Sequence, residues 1–162
     1  MNDSIPVVRV ISAAQHVGKT TLVTRLIEAL SARGVRVAAV KHSHHPLPAD
    51  REGSDTARMA TAGATAVAFC GPDGLLVRRP SERPPIEAAI EAVTDGADIV
   101  IAEGFRDASV GATIRLTGRP PAEALVELPG RASFVTTADD VDRIADGLAE
   151  LVHAGAVGVP AD

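Results

Sequence analysis

The 162-residue chain contains no Trp and no Tyr, only three Phe, one Cys and two Lys. Stacking platforms for single-stranded bases are built from aromatic side chains, so their scarcity speaks against that mode of binding. The formal net charge of −5 argues against sequence-independent attachment to nucleic acid or to an anionic membrane. A lone cysteine, Cys70, excludes an intrachain disulfide framework and fits a reducing, cytoplasmic setting. With no histidine nearby in sequence, that thiol is expected to be a buried, inert filler. No stretch approaches the ~18 consecutive apolar residues that span a bilayer. The opening residues, Met1 to Pro6, lack the basic-then-apolar pattern of a secretory leader.

The length suits a single domain, which typically takes roughly 100–200 residues. One domain over 1–154 is expected, with a short flexible tail of small residues at 155–162. The basic residues are divided unevenly. Fourteen are arginines, and the two lysines, Lys19 and Lys41, have four of the five histidines close by in sequence. Those two positions are where the chemistry is sought.

Strand and helix signals alternate. Val7–Ile11 is a β-branched apolar run, followed by a helical period over 18–33 with Leu22, Leu26, Ile27 and Leu30, stopped by Gly34. A strand is predicted at Val35–Val40, a polar loop from His42 to about Gly53, and a helix at Ser54–Ala62 capped by Ser54 or Asp55. Further strands are expected at Ala66–Cys70, Leu75–Val77, Asp98–Ala102, Thr113–Leu116 and Ala132–Val135. Helices are expected at Pro84–Thr94 and Asp139–His153. Phe69, Phe105 and Phe134 are read as packing residues. The alternation implies an α/β fold with a mainly parallel sheet, whose ligands bind beyond the carboxyl ends of the strands.

The first strand runs into Ala13-Ala14-Gln15-His16-Val17-Gly18-Lys19-Thr20-Thr21, a Walker A phosphate loop with Ala13 in its first glycine position. Such a loop aims backbone N–H groups at phosphate oxygens, aided by the helix dipole. Lys19 would reach the β- and γ-phosphates, the Thr20 hydroxyl would ligate Mg²⁺, and Gly18 allows close backbone approach. His16 and Val17 are unusual where glycine or serine is common. The second strand ends in Lys41-His42-Ser43-His44-His45, a group able to bind an anion or a transition metal, or to form only a solvated loop. The strand ending at Ala102 leads into Glu103-Gly104-Phe105. This is a Walker B pattern, in which Glu103 could hold Mg²⁺ or orient a water and Gly104 turns the chain. Asp139, after Thr136-Thr137-Ala138, could accept from the N1–H and amine of guanine, or could cap the last helix.

Taken in order, these three motifs, with Gly53-Ser54-Asp55-Thr56-Ala57-Arg58 and Ala62-Gly63-Ala64, resemble the molybdopterin-guanine dinucleotide biosynthesis protein B (MobB) family over about residues 7–153. The resemblance implies a P-loop NTPase-like three-layer fold and a GTP-binding protein with weak, Mg²⁺-dependent GTPase activity. It further implies a homodimer that acts beside the guanylyltransferase attaching GMP to molybdopterin. Gly18, Lys19, Thr20 and Thr21 match the nucleotide site, Lys41, His42, His44 and His45 the second motif, and Glu103 and Gly104 the third. A molybdopterin contact by Lys41 and the histidines is an expectation from charge and position. A non-catalytic adaptor, a metallochaperone GTPase using the histidine loop, and a small-molecule kinase are the alternatives.

Overall fold

The computed structural model describes residues 5–43, 45, 50–79 and 85–154. The expected 155–162 tail, His44, Pro46 and Pro48 lie outside the described residues. Those described fall into two compact units, one within 1–43 and 85–162, the other within 44–84.

The larger unit is a six-stranded sheet with helices on both faces. Its strands are β1 (Val7–Ser12), β2 (Val37–Lys41), β5 (Ile99–Glu103), β6 (Ala112–Thr117), β7 (Glu123–Glu127) and β8 (Phe134–Thr137), in the order β2-β5-β1-β6-β7-β8. β1 pairs in parallel with β5 and β6, and β2 with β5, while β6–β7 and β7–β8 are antiparallel. The mainly parallel α/β expectation therefore holds. β7 runs against local propensity, because Glu123, Ala124, Leu125 and Glu127 are good helix formers and only Val126 favours a strand. Its signal was the period-two pattern that buries Ala124 and Val126 and exposes both glutamates.

Helix α1 (Lys19–Ala32) and helix α4 (Val141–His153) cover one face. Leu22, Leu26 and Leu30 of α1 meet Ile144 and Leu148 of α4 in a single apolar cluster that includes Val8, Val10 and Ile114 from the sheet. Each such side chain, when fully buried, contributes about 1.5–3 kcal/mol. Helix α3 (Ile86–Glu91) packs Ile86 and Ile90 on Val7, Val100 and Ala102 of the opposite face. Three layers result. Gly34 ends α1 with φ +79, its N–H donating to the Ser31 carbonyl.

The smaller unit holds helix α2 (Asp55–Thr61), capped by Ser54, whose Oγ accepts from the Ala57 N–H at 3.2 Å. It also holds an antiparallel ribbon of β3 (Val67–Gly71) and β4 (Gly74–Arg78). Cys70 is exposed, contrary to the expected buried thiol, and Phe69 is 60% exposed rather than packed. A two-stranded ribbon has too little surface to bury both of its faces. The last helix also begins later than expected. β8 extends through Thr137, and Asp140, not Asp139, takes the position before α4.

Candidate functional site

The parallel pairing of β1, β5 and β2 brings their carboxyl ends to one edge of the sheet. β1 ends in the bends of residues 13–18, and α1 starts at Lys19. Gly18 takes φ +90, a left-handed conformation that only glycine adopts without strain. Ala13 stays out of that region, so a Cβ in the first glycine position costs no backbone strain. His16 does enter it, at φ 58, and its side chain is exposed. Val17 is buried at 6% exposure within the main core, which explains its β-branched side chain: it anchors the loop. Lys19 folds back over the loop, its Nζ donating to Ser12 Oγ at 2.8 Å and to the Ala14 carbonyl at 3.4 Å.

Glu103 closes β5, in register with Lys41 of β2 and Val10 of β1. It is 9% exposed. Its two carboxylate oxygens accept from the Thr20 hydroxyl, at 2.8 and 2.9 Å. The Lys41 ammonium lies 3.4 Å from Glu103 Oε1 and 3.4 Å from Thr20 Oγ1. Three residues that are distant in sequence thus converge on one point. The hydroxyl and carboxylate are hard oxygen donors, the kind Mg²⁺ takes alongside phosphate oxygens and water, so these residues fit that ion.

Gly104, at φ +92, turns the chain against His42: a Cβ there would stand 3.1 Å from His42 Cβ. The His42 ring packs on Phe105 with centroids 4.9 Å apart. Among the described residues no group of three or more His, Cys, Asp or Glu side chains is placed to hold a metal ion. His44 lies outside them. His45, Asp50 and the Ser54–Arg58 segment belong to the smaller unit.

A cavity of about 300 Å³ opens beside the loop, with His16, Val17, Gly18, Thr21, Arg25 and Asp139 among its lining residues. That volume is at the lower end of small-molecule sites, about 300–1,000 Å³. Asp139 lies on its wall, its carboxylate paired with Arg25 at 2.9 Å. The alternative role of Asp139 as a helix cap is overturned, since Asp140 holds that position and accepts from Thr136 Oγ1 at 2.8 Å.

Sequence reasoning missed Arg9. It is 7% exposed in β1 and donates to the Val110 and Phe105 carbonyls at 2.8 and 3.2 Å and to Thr113 Oγ1 at 3.0 Å. These bonds tie down the loop that follows Glu103. Burial, then the nearby Arg115 charge, lowers the Arg9 pKa, against a smaller opposing effect of Glu127. The signal was one arginine inside an otherwise apolar Val-Val-Arg-Val-Ile run.

Strand order, a glycine-entered phosphate-loop geometry and a carboxylate facing its threonine define an α/β protein of the P-loop type. Residues 7–126 match the family described as molybdopterin guanine dinucleotide synthesis protein B, MobB. The chain belongs to this family. It is 35% identical over 108 residues to the molybdopterin-guanine dinucleotide biosynthesis adapter protein of Haemophilus influenzae, covering 65% of this chain and 60% of that protein. Against the Escherichia coli adapter protein the identity is 32% over 120 residues, covering 68% and 67%. The match with the Haemophilus influenzae relative therefore spans less than two thirds of that protein's length. A crystal structure of a molybdopterin-guanine biosynthesis protein B superposes with TM-score 0.60 at 26% identity, covering 91% of this chain and 99% of that one.

Proposed function

We propose that this chain binds GTP with Mg²⁺ and serves in molybdopterin-guanine dinucleotide biosynthesis as an adapter with slow GTPase activity. The convergence of Thr20, Lys41 and Glu103 beside the phosphate loop carries the reading. Backbone N–H groups of 13–18 and the Lys19 ammonium would hold the phosphates once Lys19 leaves Ser12. Thr20 and Glu103 would hold Mg²⁺, which when bound neutralises charge on the phosphate oxygens. Glu103 also has the chemistry to orient a water. Asp139 would accept from the guanine N1–H and amine, and His16, Val17, Thr21 and Gly104 would shape the surroundings. Lys41 and His42 supply positive charge and a ring at the edge where an anionic molybdopterin would approach.

The pathway assignment is supported by relatives that are themselves named adapter proteins of molybdopterin-guanine dinucleotide biosynthesis. The partner proposed from it is the guanylyltransferase of that step, in the cytoplasm. Among the described residues no helix is long and apolar enough to cross a membrane. A homodimer is supported by the ribbon, where Phe69 and Leu76, cross-strand neighbours on one face, are 60% and 65% exposed. Contiguous exposed apolar side chains of this kind mark interaction surfaces.

Titration of the chain with GTP, GDP and ATP in the presence of Mg²⁺, with Lys19→Ala as control, tests the proposal. Binding of GTP that the substitution weakens supports it. No binding, or binding indifferent to Lys19, overturns it. The adapter reading without turnover is favoured instead if Glu103→Gln leaves both GTP affinity and hydrolysis unchanged. Sedimentation velocity decides the dimer, with Leu76→Asp expected to yield monomers.

A further inference from the structure

Resting on the nucleotide site just described, we propose that Arg25 is a second base-reading residue, and that the Arg25–Asp139 couple selects guanine over adenine. Arg25 lies on α1, six positions after Lys19, on the same cavity wall as Asp139. Its Nη1 donates to Asp139 Oδ1 at 2.9 Å and its Nη2 to the Asp139 carbonyl at 3.3 Å. A guanidinium has five N–H donors, so this pairing leaves others for a ligand. The two side chains are 42% and 67% exposed. Exposed pairs of this kind contribute only about 0–1 kcal/mol to stability, so little is lost if a ligand enters between or beside them.

The couple sets a donor beside an acceptor at the edge of a cavity that Pro121 and Ala138 line with apolar surface. Guanine presents the complementary pattern. O6 and N7 accept, the commonest specific target of arginine, while N1–H and the 2-amine donate, as a carboxylate requires. Adenine places an amine where guanine has O6, so it would turn a donor toward the guanidinium. Read as sequence, Arg25 is one polar residue on the outer side of α1. Only the approach of residue 139, 114 positions later, gives it a partner.

The test is calorimetric titration of the full chain with the Mg²⁺ complexes of GTP, ITP and ATP, comparing wild type, Arg25→Ala and Asp139→Asn. ITP keeps O6 and N7 but lacks the 2-amine. Arg25→Ala is expected to weaken GTP and ITP alike, by roughly 5- to 150-fold, while leaving ATP unchanged or tighter. Asp139→Asn is expected to bring GTP and ITP to similar affinities. Equal weakening of all three nucleotides by Arg25→Ala, or no weakening, would overturn the proposal while leaving the nucleotide site intact. Absence of any nucleotide binding by the wild type overturns the site and the proposal together. If Arg25→Ala does not fold, as judged by its thermal melt, Arg25→Met keeps the aliphatic stem and carries the same expectations.

Discussion

The Thr20 hydroxyl shares its proton between the two carboxylate oxygens of Glu103, at 2.8 and 2.9 Å, although 83 positions separate the residues. One sits at the start of α1, the other at the end of β5. Parallel pairing of β1 with β5 is what makes them neighbours.

Glu103→Gln keeps an oxygen to accept from Thr20 but removes the charge. Hydrolysis of GTP is expected to fall about 100-fold, the scale of losing a positioned acid–base group, with the fold intact. Single-turnover phosphate release against a circular dichroism control measures this. An unchanged rate would sink the assignment of Glu103 to the chemistry.

Lys41 places its ammonium 3.4 Å from both Thr20 Oγ1 and Glu103 Oε1, the same two groups proposed for Mg²⁺. The cation and the metal therefore compete for one carboxylate. In Lys41→Met, the Mg²⁺ concentration that half-saturates GDP binding is expected to drop about threefold to fivefold, the worth of an ion pair of up to ~1 kcal/mol. A rise would show that Lys41 instead assists the loaded site.

Gly18 and Gly111 both take positive φ but for different reasons. A Cβ on Gly18 meets nothing within 4 Å, whereas on Gly111 it would overlap the Val7 carbonyl oxygen. Gly18→Ala should cost about 1–2 kcal/mol of stability, from backbone conformation alone. Gly111→Ala should cost about 2–5 kcal/mol, because backbone must move as well. Urea midpoints of the two variants check the order.

Arg9→Leu deletes the donors that serve Phe105, Val110 and Thr113; the Phe105 carbonyl keeps the Ala108 N–H, while the Val110 carbonyl and the Thr113 hydroxyl lose their Arg9 donor. Each orphaned polar group costs about 1–3 kcal/mol. The variant is expected to unfold at markedly lower denaturant. Hydrogen exchange should also accelerate first in residues 104–111, the loop Arg9 ties to the sheet.

Asp98 accepts from the Arg36 guanidinium, Oδ1 from Nη2 at 2.7 Å and Oδ2 from Nε at 3.1 Å, and from the Arg36 backbone N–H at 2.7 Å. These bonds hold its pKa at about 2, below the ordinary 3.8. The folded carboxylate thus releases its proton more readily than the unfolded one. The stabilisation is complete above pH 3.8 and lost as pH falls toward 2. Carboxyl titration followed by NMR should show the low value in the wild type and a rise in Arg36→Ala.

Much of this was legible in residue order. The phosphate loop, the helical period of Leu22, Leu26 and Leu30, the Ser54 cap and the apolar strand into Glu103 all depend on near neighbours, and near neighbours are what a sequence displays. The misreadings share the opposite cause. Cys70 and Phe69 look like core residues, but on the ribbon they are neighbours that face opposite ways and both are exposed. Asp139 looks like a cap until β8 is seen to run through Thr137.

By itself, then, the order of residues determined that two lysines, scarce in this chain, stand one at the end of a strand and the other where a phosphate loop leads into a helix. Only the tertiary structure decided that Lys41 meets Thr20 and Glu103, that Arg25 meets Asp139, and that Arg9 holds the loop beyond Glu103. The reason is physical. Each of these contacts is set by strand order and register, which follow from packing the whole sheet between α1, α4 and α3, and no local pattern encodes them.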